Sequence, residues 1–188
     1  EFRKVCDFAP EFSDAWYNLG LAYQGLDADS SAAAAYGRAI GLESEHHAAR
    51  LNLGVLYARH AQYPDADHLF REILREDPGN LPARLNLASV LARRGDPEGA
   101  AGAYEEILRL RPGDSRARAG RIEALLSLAQ RDLEKHRPEE AEGRCRQAAA
   151  LDSTNGRARL GLSVALAAKG DTAGSLLEAE RAANLAPG

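Results

Sequence analysis

Methionine is absent from the 188 residues, aromatic residues make up only 6%, and lysine occurs only at Lys4, Lys135 and Lys169 among 24 basic residues. Arginine in place of lysine points to a GC-rich, bacterial genome. The missing initiator, in a chain that opens inside a helical pattern, points to a piece or processed form of a longer protein. No stretch approaches the roughly 18 uncharged apolar residues that span a bilayer, and no signal peptide opens the chain, so membrane insertion is not expected. The two cysteines, Cys6 and Cys145, stand 139 residues apart, which argues against a disulfide between them. Two reduced thiols suit a reducing, cytoplasmic compartment.

Chemistry is equally thin. There is no glycine-rich phosphate loop, no G-x-S-x-G elbow and no cysteine with a convincing histidine partner. His46, His47, His60 and His68 do not fall at the i, i+4 spacing of helix-borne zinc sites, so they read as surface histidines. No catalytic residue, metal or cofactor is expected, and the chain is not expected to be an enzyme. A net charge of −4 is too small to imply nucleic acid. Its distribution is uneven: residues 1–46 carry 3 basic and 8 acidic groups, residues 105–160 carry 12 basic and 10 acidic. A solvated helical surface accounts for this more simply than a charged partner.

What is present is a globular composition, 45% hydrophobic, with 17 glycines and 8 prolines spread at intervals, as many short helices with regular breaks require. The sequence repeats. Residues 16–23, 50–57 and 84–91 align at a spacing of 34; Ala32, Ala66 and Ala100 form one column, and Tyr36, Phe70 and Tyr104 another, while Pro78 and Pro112 close their units. Apolar residues within a unit keep helical spacing, as in Leu85, Leu87, Ala88 and Leu91, then Ala100, Ala103, Tyr104, Ile107 and Leu110. Gly95-Asp96-Pro97 supplies a helix stop, a cap and a first-turn proline, and Gly170-Asp171 repeats the first two.

Trp16, Leu19, Gly20, Tyr23, Ala32, Tyr36 and Ala39 resemble the tetratricopeptide repeat, with Ser44 where proline is usual. The resemblance implies an all-α, right-handed superhelical solenoid of antiparallel helix pairs with a concave groove, since no hairpin buries its apolar face alone. Five repeats are expected at residues 13–46, 47–80, 81–114, 115–155 and 156–188, after the second helix of a truncated repeat at 1–12. In the fourth, Ala141, Cys145 and Ala148 fall seven residues late, two helical turns, so its first helix should run from about Ser115 to His136.

Asn18, Asn52 and Asn86 share the column that, in this family, faces the groove. A carboxamide both donates and accepts, so a ladder of three can pair with the main chain of an extended peptide, similar to the asparagine ladder of O-GlcNAc transferases. Tyr17, Leu51 and Leu85 flank it on one side, Leu21, Val55 and Ser89 on another, and Arg59 and Arg93 stand near the helix ends. Gly120 and Gly161 end the ladder. Lysines are missing from these columns, which disfavours the carboxylate clamp of chaperone-binding members. Arg50, Arg84, Arg118 and Arg159 form a further column, with Arg116, Arg121 and Arg157 nearby. They suit an acidic partner, or cover apolar helix surface with their stems. The resemblance therefore implies a scaffold or adaptor that holds a peptide or helix of another protein. The alternative is a self-assembly element forming a homo-oligomer, or the repeat region of a larger transferase or secretion protein.

Overall fold

Turns and capping residues divide the described residues, 10–185 of the computed structural model, into ten helices and no strand. The chain forms two units, residues 1–94 and 95–188. The expected remnant helix at residues 1–12, with Cys6, lies almost wholly outside the described residues.

The first unit contains α1 (Ser13–Gln24), α2 (Asp29–Leu42), α3 (His47–Arg59), α4 (Tyr63–Glu76) and α5 (Leu81–Arg93). Each helix packs on the next, and α3 also touches α5. The second contains α6 (Pro97–Leu110), α7 (Ser115–Glu134), α8 (Pro138–Leu151), α9 (Gly156–Ala168) and α10 (Thr172–Ala183), again packed in succession, with α7 touching α9. At 20 residues α7 is the longest helix of the ten; the others have 12 to 14.

The starts of several helices follow from short polar side chains that accept the free N–H groups of a first turn. Asn80, Asp114 and Asn155 accept from the backbone of Ala83, Ala117 and Ala158, and Asp96 and Asp171 accept from Gly99 and Gly174. One turn of recurrent geometry closes hairpins in both units. Asp27, Ala61, Gly95, His136 and Gly170 all have φ between 53° and 85°, in the left-handed region. In four of these turns the following N–H reaches back five residues: Ala28 to Tyr23, Gln62 to Tyr57, Arg137 to Asp132 and Asp171 to Leu166. Only two of the five positions are glycine, so the turn is imposed on the other three by the packing around it.

Packing explains the small columns. A Cβ on Gly20 would lie 2.5 Å from the Tyr36 ring, and one on Gly54 would lie 2.6 Å from the Phe70 ring. Glycine thus lets the aromatic of the second helix approach the first closely in these two hairpins. Tyr36, Ala32, Ala39, Ala49, Leu53 and Leu56 form one core joining α2 to α3, with Tyr17 and Trp16 of α1 against it. In the second unit, Ala129, Ala141, Cys145, Leu162, Ala165 and Leu166 join α7, α8 and α9.

Candidate functional site

The asparagine column lies within the first unit, one residue on each of α1, α3 and α5. Asn52 of α3 donates to the Tyr17 hydroxyl of α1 at 3.5 Å, a weak bond at the edge of useful length. Tyr17 also stacks at a tilt on Tyr36, centroids 5.9 Å apart, and on His46 at 5.0 Å. Tyr36 donates to Gln24 Oε1 at 2.7 Å. Burial holds its phenol above the ordinary range, and the Asn52 amide beside it offsets part of that rise.

Asn18 and Asn86 differ from Asn52. Both are half-buried, and among the described residues neither amide makes a hydrogen bond to the protein. Each presents an unpaired donor and acceptor among the described residues; of the residues expected to flank the column, Tyr17, Leu51 and Val55 are half-buried and Leu21 is exposed. Leu85 is only 7% exposed, so its side chain belongs to the packing and has little area for a ligand. Arg59 is exposed but pairs with Asp29 at 3.2 Å, which His60 also reaches at 2.7 Å. Arg93 is exposed and makes no ion pair among the described residues.

The arginine column has a structural occupation that spacing alone did not reveal. Arg84, Arg118 and Arg159 each donate to the carbonyl six residues back, at Pro78, Pro112 and Ser153. Trp16, in the same column, does the same to Pro10 through Nε1. At four of the five positions of this column a long donor therefore ties the preceding loop to the helix that follows it, and Arg50 is the exception. Arg50 is 6% exposed and holds both carboxylate oxygens of Glu76 at 2.8 Å. Arg121 and Arg157 pair with Glu105 and Glu123. The histidines are also engaged: His47 with Glu76, His68 with Glu72, and His46 as the cap that accepts from Ala49. Among the described residues no three His, Cys, Asp or Glu side chains are grouped to hold a metal.

Reading of single columns missed Asp132, which is 2% exposed in the last turn of α7 and is gripped by Arg137 and Arg144. The only signal in the sequence was an acidic residue inside the seven-residue insertion, flanked by arginines.

Comparison with known proteins agrees with this architecture. Tetratricopeptide repeat families match residues 13–46, residues 60–121, and residues 30–80 together with 126–188. No curated protein matches the sequence. Among solved structures, YrrB, a TPR protein with an unusual peptide-binding site, superposes with a TM-score of 0.74 at 22% identity, covering 99% of this chain and 92% of that one. MamA superposes with a TM-score of 0.70 at 15% identity over 92% of this chain and 91% of that one. MamA 41-end from Desulfovibrio magneticus RS-1 gives 0.68 at 17% identity over 92% and 94%. No helix of the described residues is long and apolar enough to cross a membrane. One family matches more than half of the chain, repeat by repeat, and the chain belongs to the tetratricopeptide repeat family.

Proposed function

We propose that the chain is a non-catalytic scaffold that holds an extended or helical segment of a partner protein against the surface carrying Asn18, Asn52 and Asn86. The observation that carries this reading is the state of the column. Asn18 and Asn86 are half-buried with both amide functions unpaired within the described residues, at a position where packing would accept an apolar residue. A bound main chain replaces water at such groups with paired hydrogen bonds, each contributing about 0.5–1.5 kcal/mol net. Tyr17, Leu51 and Val55 add apolar contact beside them, and Arg93, which makes no ion pair among the described residues, offers a cation at the edge. The weak Asn52 bond to Tyr17 is readily exchanged for a better acceptor. Similarity to a TPR protein with a peptide-binding site supports a peptide as the class of ligand.

Selection of peptides from a random display library against the purified chain tests this. Amide shifts caused by a selected peptide should concentrate on α1, α3 and α5. Peptides that map elsewhere would remove the asparagine surface as the main site.

A second reading is self-assembly, favoured by the exposed Leu176 and Leu177 on α10, which are 62% and 47% exposed. Light scattering separates the two. Association that grows with concentration and is abolished by Leu176→Glu supports assembly, and a monomer at all concentrations supports the adaptor.

A further inference from the structure

A cleft of about 380 Å³ opens in the second unit between α7 and α9. Cys145 of α8 forms its floor, and Leu126, Leu133, Leu160 and Val164 form its walls. Its origin lies in the column of second-helix aromatics. Earlier in the same unit, Tyr104 of α6 lays its ring on Gly120 of α7, so closely that a Cβ on Gly120 would stand 2.3 Å from the ring Cζ. Gly161 of α9 repeats Gly120, but Cys145 stands in the column where Tyr104 has its ring. A Cβ on Gly161 would meet only the Cys145 Sγ, at 2.9 Å, and Leu126 Cδ2, at 3.6 Å. The pairing of glycine with ring has become glycine with sulfur, and the space of the ring stays open.

The mouth of the cleft combines exposed apolar side chains with the uncharged Ser127 and Gln130 and one ion pair, so it carries no net charge. Leu160 and Val164 are 55% and 48% exposed, one helical turn apart on α9. Glu123 and Arg157 pair across the opening at 2.5 Å, so neither is left to attract an ion.

We infer that this cleft is a second recognition site, which takes an uncharged aromatic side chain of a partner protein. A ring fills the volume that Tyr104 occupies at the preceding interface. Charge complementarity selects against an ionic side chain, which would lose its water and find Glu123 and Arg157 already satisfied. Cys145 acts only as apolar floor: it is 1% exposed, and burial pushes its thiol up to about 11, far from a reactive thiolate. Gly161 stands in the column that Asn18, Asn52 and Asn86 occupy in the first unit, so the inference rests on the proposed use of that column as a recognition surface, while its probes and its shifts are separate from those that test the asparagines.

The test is a titration of the isotope-labelled full chain with N-acetyl-phenylalanine amide and, separately, N-acetyl-lysine amide, followed by amide shifts. The aromatic probe should give saturable shifts at Leu126, Leu160, Gly161 and Val164 with a dissociation constant on the order of 1–10 mM, and the lysine probe should bind at least about fivefold more weakly. Val164→Glu, at an exposed position, should weaken the aromatic probe by at least about fivefold while leaving the dispersion of the spectrum intact. Absence of saturable shifts at the cleft, equal binding of the two probes, or an unaffected Val164→Glu variant would each overturn the assignment.

Discussion

At the scale of single residues, the fold rests on a few positions whose size or backbone geometry is constrained. Leu53 and Leu87 are 6% and 7% exposed, and each truncation to alanine removes packed methyl groups from a helix interface. Leu53→Ala or Leu87→Ala should each cost about 2–5 kcal/mol by urea denaturation, and a loss below about 0.5 kcal/mol would show the facing to be wrong. Ala61 sits at φ 58°, a conformation that a β-carbon disfavours, in the turn where Gly95 and Gly170 stand elsewhere. Ala61→Gly is expected to stabilise the chain by up to about 1 kcal/mol, visible as a rise in the unfolding midpoint. Glu76 illustrates a titratable position. The hydrogen bond from Arg50, and then that from His47, holds its carboxyl below the ordinary glutamate range. A depressed carboxylate contributes stability that is present above the unfolded value and lost as pH falls through the folded one. The difference in midpoint between the parent and Glu76→Gln should therefore shrink as pH is lowered through and below the ordinary glutamate range.

At the scale of elements, α7 is the departure from regularity, and its added turns end in a buried charge. Asp132 accepts from Arg137 and Arg144 while its backbone carbonyl accepts from the Arg137 N–H, so side chain and main chain together fix the turn into α8. Both arginines keep access to water, at 44% and 31% side-chain exposure, which lets them rehydrate when the partner is lost. Asp132→Asn should then cost about 1.5–3 kcal/mol, the range of a hydrogen bond to a charged group, with earlier loss of amide protection at the ends of α7 and α8 than elsewhere. The length of α7 was legible in the sequence because an insertion of two whole turns preserves the facing of the apolar residues: Leu125, Leu128 and Ala129 are buried like their counterparts in shorter helices. The ionic cluster at its end was not, because arginine and aspartate on a helix surface look alike in sequence whether they are solvated or locked. The arginine column shows the same difficulty. Its regular recurrence left an acidic partner and coverage of apolar helix surface both open, and the carbonyl six residues back is a third occupation that only the loop geometry brings within reach.

At the scale of the whole molecule, family membership and helical architecture were visible because a repeat states its pattern several times, so that one departure, such as Ser44 for proline, does not hide it. Function is read less directly, since a fold of this kind positions surfaces without dictating what they hold. Repetition again supplies the argument: Asn18, Asn52 and Asn86 recur on successive first helices, and two of the three have no hydrogen bond within the described residues. Neighbouring Leu85 looked equivalent to Leu51 by column, yet its burial could not be read from a period that both share. The direct measurement is calorimetric affinity for a selected peptide in the parent and in the Asn18→Ala, Asn52→Ala, Asn86→Ala triple variant, with folding confirmed by circular dichroism. With several hydrogen bonds at about 0.5–1.5 kcal/mol each, the triple variant should stay helical and bind at least about tenfold more weakly. A folded triple variant that binds as tightly as the parent would contradict the account.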